Sequence, residues 1–234
     1  MKKILVYLGM MAATVLAISS CKCNPTFDIS VGNSKSVHCK GDVEVREMGL
    51  SGFNQIMLNG AADINLTQGD AFRVTVTANN EVFEYLNYKV EDGVLILETK
   101  DNVTIKAQTY DVAISLPALV SVVVNGAGDI DLKSGYTGEE DLSMVINGAG
   151  DFDFSGIRVP TLSVVVNGAG DIDLNDIDVQ RLSVSVNGAG DATVTGKADK
   201  ASFSVSGVGG INATGLDAGE VKTSKSGVAS IKTK

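Results

Sequence analysis

The sequence has no tryptophan, one histidine (His38), three prolines and three cysteines, and only 5% of its residues are aromatic. A lone histidine argues against a His-rich zinc site, and no nucleophile motif accompanies it to make a Ser/His/Asp triad. So few aromatic rings argue against a stacked platform for sugars. Basic residues are also scarce: 19 Lys and Arg stand against 28 Asp and Glu, net −9, which excludes a strongly basic nucleic-acid binder. Apolar side chains, at 44% of 234 residues, and 26 glycines are abundant. That supports one sizeable core in a chain that is neither disordered nor a many-helix membrane protein.

Residues 1–20 join Lys2 and Lys3 to an apolar run from Ile4 to Ile18 and end before Cys21. The run is shorter than the ~20 residues a spanning helix needs, and with its basic start it reads as a secretion signal. The Ser19-Ser20-Cys21 ending resembles the bacterial lipobox, in which cleavage leaves Cys21 as the acylated first residue. Loss of residues 1–20 removes two lysines and no acid, so the exported chain has 17 basic and 28 acidic side chains, net −11. Such a body is repelled by anionic headgroups, so the expected membrane partner is reached through the lipid. The expected address is an outer-membrane lipoprotein, periplasmic or surface-exposed, since Lys22-Cys23-Asn24 contains no acidic export run. Cys23 and Cys39 then remain as an even pair in an oxidising compartment, either joined as a disulfide or left as two thiols.

From about residue 55 one peptide recurs. Ile56-Met-Leu-Asn-Gly-Ala-Ala-Asp-Ile-Asn-Leu66 returns as Val122–Leu132, Met144–Phe154, Val164–Leu174 and Val184–Val194, each with Asn-Gly-Ala-Gly-Asp at its centre. Decayed copies follow at Phe203–Ala213 and after Lys225. Asn125, Asn147, Asn167 and Asn187 are 22, 20 and 20 residues apart, and Ser206 and Ser226 continue the series at 19 and 20. This is one structural unit copied in series.

Within a copy the apolar residues alternate, Leu162, Val164 and Val166 before the glycines and Ile172 and Leu174 after them. Period two means strand, and Asn-Gly-Ala-Gly reads as turn chemistry because glycine accepts positive φ and Asn tolerates the left-handed region. The chain is therefore all-β, and two architectures fit. In one, each copy is a coil of ~20 residues in a right-handed parallel β-helix-like solenoid, with equivalent residues ~4.8 Å apart. In the other, each copy is a hairpin in an antiparallel meander or sandwich. Ladders of like residues favour the coil. Residues 67–117 read as an elaborated start to the same stack, with strands at 72–76, 88–90, 94–97, 103–105 and 112–116, a hairpin turn at Asp92-Gly93 and a helical turn near 81–86. The expected organisation is a lipoprotein signal peptide at 1–20, a linker with a first strand at 21–42, and a β-helical domain at 43–234.

The order of Gly52-Phe53-Asn54-Gln55-Ile56, Leu66-Thr67-Gln68-Gly69-Asp70, Asp92-Gly93-Val94-Leu95-Ile96, Leu116-Pro117-Ala118-Leu119 and the Asn-Gly-Ala-Gly-Asp series resembles the "putative auto-transporter adhesin, head GIN domain" family across roughly residues 43–232. The resemblance implies a secreted, β-helical, often lipid-anchored protein of Bacteroides-like bacteria, adhesin-like by analogy. It brings no catalytic residues, and none is assigned.

Stacked copies would align Asp129, Asp151, Asp171 and Asp191 beside the asparagines, with Asp131, Asp153 and Asp173 two residues on. Carboxylates ~4.8 Å apart repel by about 0.9 kcal/mol in water, so the row must be wet, hydrogen-bonded or cation-bound. The bland reading has each first Asp accepting N–H bonds from its own glycine-rich bend. The sharper one has Asp131, Asp151, Asp153, Asp171 and Asp173 holding Ca²⁺ with carbonyls and water. Carboxylate pairs also suit a polysaccharide-active enzyme, yet a catalytic pair is normally unique and these recur. The expected function is adhesin-like binding of a glycan or protein surface ligand, with an enzyme or a structural envelope spacer as rivals. Lysines near the C-terminus, from Lys200 to Lys234, read as protection of an edge strand.

Overall fold

The computed structural model describes residues 35–100 and 103–234, all within one unit, Asn33–Lys234. The signal peptide, the lipidation site Cys21 and Cys23 lie outside the described residues. So does half of the expected disulfide.

Alternation of apolar and polar residues makes strands almost throughout. The chain runs through β1 (Lys35–Cys39), β2 (Val43–Glu47), β3 (Gln55–Ala61), β4 (Asp63–Gln68), β5 (Arg73–Asn79), a 3-10 turn (Asn80–Glu84), β6 (Lys89–Glu91), β7 (Val94–Glu98), β8 (Val103–Ala107) and β9 (Tyr110–Leu116). The remaining copies supply β10 (Ser121–Ala127), β11 (Ile130–Leu132), β12 (Tyr136–Thr137), β13 (Leu142–Ala149), β14 (Phe152–Ser155), β15 (Ile157–Ala169) and the long extended run β16 (Ile172–Thr233). There is no α-helix among the described residues, and the fold is all-β. Fourteen strands form one mixed sheet, and β1 pairs with β8 as a separate parallel ribbon.

Successive copies pair in parallel, each residue beside its counterpart. Asn125 lies opposite Asn59 on one side and Asn147 on the other, and Asn167 lies between Asn147 and Asn187. Second strands do the same, with Ile130 between Ile64 and Phe152, and Phe152 next to Ile172. The first strands of the copies pair with one another, and the second strands likewise. Alternate residues therefore stack as buried columns, Ile56, Val122, Met144, Val164 and Val184 in one and Ile64, Ile130, Phe152 and Ile172 in another, within a single hydrophobic core. Burying each such side chain contributes roughly 1.5–3 kcal/mol.

The Asn-Gly-Ala segments differ from expectation. They are not tight turns: β3, β10, β13 and β15 run extended through them, and none of the asparagines has positive φ. The glycines do, with φ between +138° and +150° at Gly126, Gly148, Gly168, Gly188 and Gly207. A Cβ at any of these five would stand 2.0 Å from the carbonyl oxygen of the glycine one copy earlier. Neighbouring backbones thus meet where a side chain would begin, which is a second reason for glycine here besides the dihedral.

Residues 67–117 build onto the outer side of the first copy instead of adding coils between Asn59 and Asn125. β7 pairs in parallel with β3, and β9 in parallel with β4. β5 runs antiparallel to both β9 and β2. The β6–β7 hairpin turns at Asp92 and Gly93, with φ +50° and +79°. Asn79, buried beside the 3-10 turn, ties this end together: its amide donates to the Gly41 carbonyl at 2.7 Å and accepts the N–H groups of Gln108 and Thr109 at 3.0 and 3.1 Å.

Gly168→Ala tests the backbone contact. Strain of about 1–3 kcal/mol from the dihedral adds to about 1–3 kcal/mol of overpacking, so urea unfolding should show a loss of at least ~2 kcal/mol. A loss under ~0.5 kcal/mol would mean the copies do not touch at this column.

Candidate functional site

The register turns the asparagines into a ladder. Asn125 donates its amide to the Oδ1 of Asn59 at 2.9 Å, and Asn147, Asn167 and Asn187 each donate to the asparagine one copy earlier at 3.0 Å. Asn59, Asn125, Asn147 and Asn167 accept one such bond with their oxygens, and all of the ladder except the half-buried Asn59 is exposed.

A carboxylate row runs beside it, and its donors lie one copy on, not in the same bend. The N–H of Asp129 donates to Asp63 at 3.3 Å, that of Asp151 to Asp129 at 3.0 Å, and those of Asp171 and Asp191 to the preceding Asp at 2.7 Å. Backbone N–H groups at the bends also point across copies, Gly150 to the Ala169 carbonyl and Phe152 to that of Asp171. A local pattern cannot distinguish a donor in its own bend from one a whole copy away. Repulsion between adjacent carboxylates, about 0.9 kcal/mol in water, is matched by the ~1 kcal/mol net value of one hydrogen bond, so an exposed row is tolerated.

The second row holds a cation already. Asp131, Asp153 and Asp173 are register neighbours, and the Lys133 ammonium sits 3.2 Å from Asp131 and 3.0 Å from Asp153. Hydrogen bonds to Asp153 and Asp131 raise the Lys133 pKa. Asp151 and Asp171 spend an oxygen each on the first row. No group of three or more His, Cys, Asp or Glu side chains is placed to hold a metal ion among the described residues.

Of the other singled-out residues, His38 is exposed and Cys39 is fully buried, its thiol pKa raised by burial and then by Glu81 and Glu84. Tyr136 is buried and bridges Leu119, accepting its N–H at 2.8 Å and donating to its carbonyl at 2.9 Å. Tyr88 and Tyr110, both half-buried, share a hydroxyl contact of 2.6 Å. These tyrosines pack; they do not form a platform.

Three polar groups escaped the sequence reading. Lys133 follows Asp131 by two residues and so shares its face, which period two would have revealed. Gln68 clamps Thr137, donating to its carbonyl at 2.8 Å and accepting its N–H at 3.0 Å. Arg181 lines one hollow with Thr161, Ser183 and Ser202 and with Lys200 and Lys222, which the sequence reads only as edge protection; carrying the copy spacing past the asparagines would have aligned them.

These features define a class: an all-β repeat protein with polar ladders on its surface and its core in columns. The sequence profile of the family described as "Putative auto-transporter adhesin, head GIN domain" matches residues 52–234. The chain belongs to this family. Solved structures share the fold. A "putative adhesin" from Bacteroides fragilis is 20% identical with a TM-score of 0.71, covering 85% of this chain and 100% of that one. A "putative adhesin" from Parabacteroides merdae is 22% identical with a TM-score of 0.74, covering 85% of this chain and 83% of that one. A "putative lipid binding protein" from Parabacteroides distasonis is 22% identical with a TM-score of 0.71, covering 86% of this chain and 100% of that one. No curated protein sequence matches the chain.

Asn167→Ala removes two ladder bonds, each worth about 0.5–1.5 kcal/mol net, so stability should fall by about 1–3 kcal/mol in urea. Asn167→Asp keeps the acceptor for Asn187 and loses only the donor to Asn147, so its loss should be roughly half. Equal losses from the two variants would show that the amides do not act as a directional ladder.

Proposed function

We propose that this protein is a lipid-anchored component of the cell envelope in which a right-handed parallel β-helix-like solenoid, with coils of ~20 residues, presents a repetitive face for adhesin-like binding. The observation that carries the reading is the parallel, in-register pairing of copies, which turns a repeated residue into a continuous stripe. Family membership supports the adhesin-like part. The acylated Cys21 rests on the sequence pattern alone, and no helix among the described residues is long and apolar enough to cross a membrane. Residues 1–20 act as the signal peptide and 43–234 as the binding domain in this reading.

The protein is not an enzyme in this reading. The carboxylate pairs recur from copy to copy; Asp151 and Asp171 each give one oxygen to a cross-copy hydrogen bond, and Asp153 pairs with Lys133. The ligand is a glycan or a protein surface, and the outer membrane is the expected location.

Cys21→Ser should abolish incorporation of a clickable fatty acid and release the protein from the membrane fraction. Labelled, membrane-bound Cys21→Ser protein would contradict the anchor. Purified protein should bind on a glycan or envelope-protein array and release no reducing sugar from a polysaccharide panel. Release of sugar would establish the enzyme, and silence in both assays would leave the spacer.

A further inference from the structure

Charge is distributed unevenly along the copies. Residues 41–180 carry 7 Lys and Arg against 23 Asp and Glu, net −16, whereas residues 181–234 carry 7 against 4, net +3. The change of sign falls at a hollow of about 290 Å³ lined by Arg181, Lys200, Lys222 and Glu220, with Ser183 and Ser202 between them.

The stacking explains why these groups converge. Thr161 pairs with Arg181 and Ser163 with Ser183. Gly207 lies against Gly188, an offset of 19, and Gly227 against Gly207, an offset of 20. The same offsets place Lys200 over Arg181 and Glu220 over Lys200 in one outward column, and Ser202 over Ser183 and Lys222 over Ser202 in the other. Long side chains wall the hollow and small hydroxyls form its middle. The inward column beneath shrinks from Leu142, Leu162 and Leu182 to Ala201.

Glu220 is held between two lysines, 3.2 Å from Lys222 and 3.8 Å from Lys200. Those cations keep its pKa below the ordinary carboxylate range, so the carboxylate stays charged and fixes both ammonium groups. Arg181 has no carboxylate partner among the described residues; its guanidinium donates only to the Thr161 hydroxyl, at 2.7 Å. At another hollow the cations are neutralised, Lys133 by Asp131 and Asp153 and Arg158 by Asp176. The Arg181 hollow keeps an uncompensated charge of about two units, three cations against Glu220, and offers a planar fork suited to a carboxylate or sulfate.

We propose that the hollow formed by Arg181, Lys200 and Lys222 binds a linear acidic polysaccharide, one whose sugar rings carry carboxylate or sulfate groups. Arg181 and Lys200 stack on adjacent strands ~4.8 Å apart, close to the length of one pyranose ring, and Lys222 stands on the next strand one column over, so a chain crossing the three strands obliquely meets one cation on each. Ser183, Ser202 and Thr161 supply hydroxyls for the sugar, and the acidic remainder of the surface steers a polyanion to this one region. The assignment rests on the adhesin-like reading above and narrows it to a ligand class and a place.

The test uses the exported chain, residues 21–234, with polygalacturonate, heparin and neutral dextran as probes in calorimetry or biolayer interferometry. Wild type should bind polygalacturonate or heparin at least tenfold more tightly than dextran, and more weakly as salt rises. The triple variant Arg181→Gln, Lys200→Gln, Lys222→Gln should lose at least tenfold, and Arg181→Gln alone at least threefold, with unchanged thermal midpoints. Lys133→Gln, outside the hollow, should change affinity less than twofold. If the triple variant misfolds, Arg181→Gln decides. Acidic polysaccharide bound equally by wild type and Arg181→Gln would overturn the site while leaving the adhesin-like reading standing. Binding only to neutral glycans or proteins on an array, or only to vesicles containing phosphatidylglycerol, would overturn the ligand class. No binding anywhere would remove both readings.

Discussion

The structure depends on a contact between backbones. At the glycine positions of each copy the α-carbon of one strand faces the carbonyl of the copy before it, with no room for a methyl group between them. That closeness leaves one register. A slip by a single residue would turn the core columns outward and put the polar rows inside. Once the register is fixed, the identity of stacked residues follows from the repetition of the sequence, and the ladders need no further instruction.

Two kinds of polar row result, and they handle their own chemistry differently. Asparagine is both donor and acceptor, so a stack of identical amides satisfies itself. Aspartate is acceptor only, so a stack of carboxylates must borrow donors, and it takes the backbone N–H of the next copy. Where the second carboxylate row has no such donor, Lys133 stands between Asp131 and Asp153. The residues before the regular copies work differently again: antiparallel strands and the Asn79 knot cover the outer side of the first copy, using buried hydrogen bonds in place of repetition.

Much of this was legible in the sequence. Spacings of 22, 20, 20, 19 and 20 residues announced copying, alternation announced strands, and Asp92-Gly93 announced its hairpin. The role of the asparagines was not legible, because Asn before Gly is also a common turn signal, and only the partner strand shows that the backbone stays extended. The donors to the aspartates were hidden for the same reason. Asn79 gave no signal, since burial of one amide depends on three loops meeting. The Arg181 hollow was not legible either, because it is made where the repetition weakens: Leu gives way to Ala201, and serines stand beside unlike charged residues.

The irregular spacings fall where they leave the ladders aligned. Length varies at the corners away from the glycines, where Gly135, Gly156 and Asp176 take positive φ, while the bend keeps its alignment. Because each copy pairs in parallel and in register with the one before it, a copy adds one strand spacing, ~4.8 Å, to every row it joins. The number of copies therefore sets how far each polar ladder runs.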